Sequence, residues 1–152
     1  MLALQSPVIT DFARLIEHEG IVAGLAFLNR RVDHRCTAIY RLEHLTVRNL
    51  YLFDRQGAQL PEALSVVPLG DSFCQHAIRE GSFLTEDTRD DVRVDGSPFQ
   101  GVVVAYHGLP LFDKRGQLFG SLCHFDFKPR SLPDEEFDIL QRAASTLPAY
   151  LP

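Results

Sequence analysis

The apolar and polar positions along the chain follow two different periods. Val8, Phe12, Leu15 and Ile16 recur at i, i+4, i+7 and i+8, which places them on one face of a helix. Ser6 before Pro7 supplies a cap and then a proline at the first helical position, where the missing N–H costs nothing. Gly20 ends or bends that helix, and Ile21, Leu25 and Leu28 mark a second one. Asn29-Arg30-Arg31 closes it with cations that suit the negative end of a helix dipole. The pattern thus predicts N-terminal helices over about 7–31.

From Cys36 the period becomes that of strands. Cys36–Leu42 and Leu45–Phe53 are rich in β-branched and aromatic residues, and Glu43-His44 between them suits a hairpin turn. Asp54-Arg-Gln-Gly57 closes the second strand with turn chemistry, and 58–70 reads as irregular. Asp71 or Ser72 caps a short helix that runs to about Arg79 and ends at Glu80-Gly81. Ser82–Thr85 reads as a short strand. A polar loop follows over 86–100, carrying Glu86, Asp87, Asp90, Asp91 and Asp95. Val102–Phe112 and Leu118–Phe127 form two more strands around the Asp113–Gly116 turn. A final helix over about 133–147 holds Asp134, Glu135 and Glu136 in its positive first turn and buries Phe137, Leu140, Ala144 and Leu147. The simplest packing is an α+β fold in which the terminal helices cover one face of an antiparallel sheet. The opposite face is left to loops and one short helix, which pack less densely than long helices, so a ligand-sized cavity is expected there.

Length and composition narrow the class. The 152 residues suit one domain, and 45% hydrophobic with 23% charged residues argues against disorder. The apolar runs at Ile21–Leu28 and Gly101–Tyr106 are shorter than the roughly 17 residues of a membrane span. No basic-then-apolar leader pattern opens the sequence, which predicts a cytoplasmic protein. A net charge of -5 gives no support to nucleic-acid binding. Cys36, Cys74 and Cys123 are odd in number and widely spaced, as expected of reduced, largely buried thiols.

The second half carries a wider pattern. Gly108-Leu-Pro-Leu111, the Asp113–Gly116 turn, Gly120-Ser-Leu-Cys-His-Phe-Asp126, Pro129-Arg130, Leu132 and Asp134-Glu-Glu136 together resemble the GAF domain in order and spacing. Ser72-Phe-Cys74, and Asp87, Arg89 and Asp91, resemble the sensory members of that family. Leu109, Ser121, His124 and Pro133 depart from its usual valine, threonine, aliphatic residue and Ser/Thr cap. The resemblance covers roughly 10–150. It implies a GAF/PAS-like antiparallel sheet of about six strands, with terminal helices on one face and a loop-roofed pocket on the other. It also implies a regulatory sensor, stand-alone or excised, that binds a small molecule, dimerises through its terminal helices and signals to a separate output protein. Cyclic nucleotides, bilins, haem and small metabolites are the ligands common in the family; the residues here do not identify the ligand or any cofactor.

The chemistry-bearing residues are weighed within that frame. Tyr40, Phe73, Phe99 and Tyr106 are the aromatics expected nearest the cavity, with Cys74, His76 and Asp87 as its polar groups. Arg89 and Arg93 can hold a carboxylate or phosphate, or pair with the aspartates beside them. One enzymatic branch resembling GAF domains, the free methionine-(R)-sulfoxide reductases, works by pocket cysteines. Cys74 fits such a role, but 99–106 lacks the partner thiol expected there. Each cysteine has a histidine within two residues, yet no metal-ligand spacing appears, so no metal site is predicted. Cys123-His124 matches a bilin-attachment dipeptide but falls in mid-strand. A purely structural dimerisation module is the remaining alternative, and it predicts a filled interior.

Overall fold

The computed structural model describes residues 7–152, so the expected cap at Ser6 lies outside the described residues. Helix α1 (Pro7–Glu19) buries Phe12 and Ile16. Gly20 then takes φ 95°, a conformation open to glycine, and the chain turns into α2 (Ile21–Asn29). The cation that closes α2 is neither Arg30 nor Arg31. Arg55 Nη2 reaches back to donate to the carbonyls of Asn29 and Val32, both at 2.7 Å, while Nε and Nη2 hold Asn29 Oδ1. Arg31 instead forms a two-pronged ion pair with Glu136 at 2.8 and 3.0 Å.

Strands β1 (Cys36–Glu43), β2 (Thr46–Asp54), β3 (Val66–Pro68), β4 (Phe83–Thr85), β5 (Ala105–Phe112) and β6 (Leu118–Asp126) form one sheet. Their order is β3-β2-β1-β6-β5-β4, and every pairing is antiparallel. The first hairpin turns at His44-Leu45, with His44 at φ 58°. Strand β3 falls in a stretch that local pattern reads as irregular. It forms because Val66 and Val67 meet Arg48 and Val47 of β2. Between β3 and β4 lies helix α3 (Cys74–Glu80), whose first turn is held by Gln75 N–H donating to Ser72 Oγ at 3.2 Å. The last helix, α4 (Asp134–Thr146), buries Leu140 and Ala143, with Leu147 just beyond its end. Phe137 and Ala144 are only half buried.

Alternation along the strands divides the core in two. Ile39 and Leu122 face Phe12, Leu25, Leu28 and Leu140, so α1, α2 and α4 share one face of the sheet. Ala38, Tyr40, Tyr106, Cys123 and Phe125 face the other way, toward Val67, Phe73 and Cys74. Each large aliphatic side chain buried in these layers contributes about 1.5–3 kcal/mol.

The second face is covered by α3 and by the segment 86–104. Thr88 fastens that roof. Its hydroxyl donates to Val103 O at 2.7 Å and accepts from Gly101 N–H at 2.9 Å, while its own N–H donates to Val104 O at 2.7 Å. Val102–Val104 therefore belong to the roof, and β5 starts at Ala105.

Candidate functional site

Between the sheet and its roof lies a cavity of about 40 Å³. The sheet supplies its floor through Tyr40, Val47, Cys123 and Phe125, and Phe99 and Val103 border it from the roof. This is far below the roughly 300 Å³ at which pockets bury drug-sized ligands. A void thus lies where a ligand-sized cavity is expected, but it is smaller than that, because aromatic rings crowd this face. Phe73 stands edge-on to Tyr106 with ring centres 5.8 Å apart, and Phe83 packs 6.3 Å from Phe73 and 6.1 Å from Tyr106. Gly108 makes this packing possible: a Cβ there would lie 2.5 Å from Tyr106 Oη and 2.7 Å from its ring carbons.

Cys74, at the start of α3, is the chemical centre of the wall. Ser121 Oγ donates to its sulfur at 3.1 Å, and Tyr106 Oη lies 3.5 Å away on the same sulfur. Burial pushes the Cys74 thiol up, and these hydroxyl contacts only partly oppose it. Cys123 lines the same cavity, and burial raises its thiol far above the ordinary range. Cys36, on the same face of β1, is pushed up to about 12, again by burial first. All three stay thiols at neutral pH, since the thiolate is the reactive form and burial disfavours it.

Of the residues singled out in the sequence, Tyr40, Phe73, Cys74, Phe99 and Tyr106 come together at this cavity. His76, Asp87 and Arg89 do not. His76 packs on Phe83 with ring centres 4.8 Å apart and accepts from Arg79 Nη2 at 3.0 Å. Asp87 caps a 3-10 turn by accepting Arg89 N–H at 3.0 Å, and it grips the Arg89 guanidinium at 2.9 and 2.6 Å. Asp91 and Arg93 repeat that arrangement four residues on, with Arg93 also donating to Leu84 O and lying 4.5 Å above the Phe83 ring. These arginines fasten the roof locally instead of reaching into the void.

Val47, Leu64, Val67, Ser72, Val103, Cys123 and Phe125 complete the lining and were not named from the sequence. Phe125 and Cys123 could have been found by carrying the alternation back from Ser121. Leu64 and Val67 depend on β3, which has no local signal.

A second polar group lies on the opposite face. Cross-strand pairing places Thr37, His124 and His107 in one row. His34 joins them, its Nε2 2.9 Å from His107 Nδ1. Thr37 Oγ1 accepts from Asn29 Nδ2 at 3.0 Å and is hydrogen-bonded to His124 Nδ1 at 2.6 Å. Burial keeps all three imidazoles neutral: it holds His34 down at about 4, His107 at about 3 and His124 well below its ordinary value. His34 Nδ1 is the one buried side-chain polar atom left unpaired among the described residues. No group of three histidine, cysteine, aspartate or glutamate side chains among the described residues is placed to hold a metal ion.

Comparison with known proteins places this geometry. No protein-family model matches the sequence, and no curated protein does at a significant level. Solved structures do. The free methionine-R-sulfoxide reductase of Neisseria meningitidis, determined with its substrate, superposes with a TM-score of 0.71 at 15% identity, over 93% of this chain and 84% of its own. The GAF domain of an Acinetobacter phosphoenolpyruvate-protein phosphotransferase gives 0.68 at 15% identity, over 95% and 93%. The phycocyanobilin-bound GAF domain of a cyanobacterial phytochrome gives 0.70 at 16% identity, over 93% and 90%. At these identities the likeness is one of fold, and the fold of this chain is the GAF fold.

Proposed function

We propose that this GAF-fold chain is a non-catalytic sensory module that binds a small molecule between the sheet and the 86–104 roof. The observation that carries the reading is the void itself. It sits on the sheet face away from the helices, and its volume of about 40 Å³ exceeds the roughly 10–15 Å³ needed to hold a water. A module whose only task was dimerisation would gain by closing it. Solved relatives in fold are described with a substrate or a bilin bound, which supports small-molecule binding as the common use of this architecture. Binding is relayed through β1, β5 and β6, whose opposite face carries the terminal helices, to a homodimer interface and a separate output protein. Leu15 and Val22 support the interface: both stand outside the buried layers, and Val22 is 43% exposed. Three free cysteines, and no helix among the described residues long and apolar enough to cross a membrane, are in keeping with a cytoplasmic site of action.

Native mass spectrometry of the purified chain, followed by a thermal-shift screen of metabolites, tests the reading. A retained mass or a saturable rise in Tm is the expected result; a chain bare in both assays contradicts it. Sedimentation of the parent and of Leu15→Glu tests the dimer, which the charge should convert to monomer.

A second reading has one observation in its favour. Cys74 and Cys123 line one cavity, so two thiols share a wall despite the missing cysteine in 99–106. Reduction of a sulfoxide by such a pair needs an accessible thiolate, and burial opposes both thiols. Turnover of free methionine sulfoxide with a dithiol reductant, lost in Cys74→Ser, would put this reading first.

A further inference from the structure

The lining of the cavity narrows what can enter it. We propose that its occupant is an uncharged, apolar molecule no larger than a single aromatic ring. The inference rests on the ligand-binding reading above and specifies the ligand class.

Three observations converge on it. First, no lysine, arginine, aspartate, glutamate or histidine lines the cavity. A carboxylate, phosphate or ammonium entering it would lose its hydration and meet no opposite charge, a penalty of several kcal/mol.

Second, the hydroxyl protons around it are already committed. Tyr40 Oη donates to Leu64 O at 2.8 Å, Ser72 Oγ to Leu69 O at 2.8 Å, and Tyr106 and Ser121 to the Cys74 sulfur. The unpaired buried atom, His34 Nδ1, belongs to the histidine group on the helical face, so no orphaned polar side chain points into the void. What remains for a guest is the faces of aromatic rings, valine methyls, the lone pairs of the hydroxyl oxygens and the weak S–H donors of Cys74 and Cys123, with no strong donor among them. The nearby guanidiniums cannot supply charge without breaking their own pairs, because Arg89 is held by Asp87, and Arg93 by Asp91 and Leu84 O.

Third, the volume sets the scale. Dry apolar cavities of about 150 Å³ take benzene or xenon. At about 40 Å³ the present form admits only an atom or a diatomic. A ring therefore requires the Phe99 side chain to move aside. Phe99 is half buried at the roof tip and fastened there by its own N–H to Ser97 Oγ and by its carbonyl, which accepts from Val102 and Val103 N–H. A nucleotide or a tetrapyrrole would require the whole roof to leave.

The test compares xenon and benzene with cyclic GMP and L-methionine sulfoxide, using the full chain and its Val103→Ile variant. Benzene at about a hundred times its Kd should raise Tm by about 5 °C or more, and the variant should abolish the rise. Methyl NMR of the parent supplies a readout independent of the variant. Xenon and benzene should shift the methyls of Val47, Val67 and Val103 at the cavity more than those of Leu25 and Leu140 on the helical face. If cyclic GMP or methionine sulfoxide shifts the cavity methyls while xenon and benzene do not, the ligand class is wrong and the binding reading stands. If none of the four moves them, and the metabolite screen is also empty, both are overturned.

Discussion

Gly108 shows how much one side chain decides here. Its missing Cβ lets the Tyr106 ring lie across β5, where the hydroxyl reaches the Cys74 sulfur. Gly108→Ala forces that ring aside and should cost about 1–3 kcal/mol in urea denaturation, the usual range for overpacking. A stability equal to the parent's would show that the ring is not seated as described. Val103→Ile works in the other direction. One methylene placed in the void should stabilise the unliganded chain by about 0.8 kcal/mol and remove ligand binding. A destabilised variant would mean that the space is not available at Val103. At this scale the sequence was readable where a large ring adjoins a strand or a helix start, as for Tyr40, Phe73 and Tyr106. His76, Asp87 and Arg89 lie outside the lining, because each finds a polar partner within three residues in sequence.

The roof is the element on which the site depends, and Thr88 is its fastening. Thr88→Val removes a donor to Val103 O and an acceptor from Gly101 N–H, so two backbone groups lose their partners. A loss of about 1–3 kcal/mol is expected in chemical denaturation, with faster amide exchange confined to 95–104. Exchange that stayed unchanged there would place the fastening elsewhere. The long helices and the two hairpins were legible because their periods are local. Strand β3 was not, since three residues carry no period and pair only because β2 offers Val47 and Arg48. The start of β5 differs for a related reason: Val102–Val104 have strand-like side chains, but hydrogen bonds to Phe99 and Thr88 tie them to the roof. Likewise, Arg30 and Arg31 follow α2 in sequence, yet Arg55 is the residue that reaches its last carbonyl, on Asn29, and that of Val32 just beyond.

The sheet as a whole separates two tasks, with the cavity on one face and a buried polar row under the helices on the other. The histidines of that row give the molecule an acid limit. Their folded values lie below the ordinary 6.5, so the unfolded chain binds more protons between about pH 6.5 and 4, and stability rises with pH through that window. It should be fully present above pH 6.5 and fall on acidification by up to about 1.4 kcal/mol per pH unit for each imidazole. Asp54 adds to the loss only nearer pH 4, because the Arg35 hydrogen bonds hold its carboxyl low. Urea midpoints at pH 7.5, 6.0 and 5.0 check this, and a flat profile would mean that the imidazoles are not buried neutral. The sequence did not disclose the row, since it grouped His34 and His124 only with the cysteines beside them; the registers of β1, β6 and β5 set Thr37, His124 and His107 side by side, and His34 reaches His107. The central claim, that a ligand under the roof is felt by the helices across the sheet, is tested most directly by hydrogen–deuterium exchange of the full chain with and without benzene. The account predicts slower exchange in 95–104 together with a change in α1 and α2. Exchange altered in neither segment by a ligand that binds would contradict it.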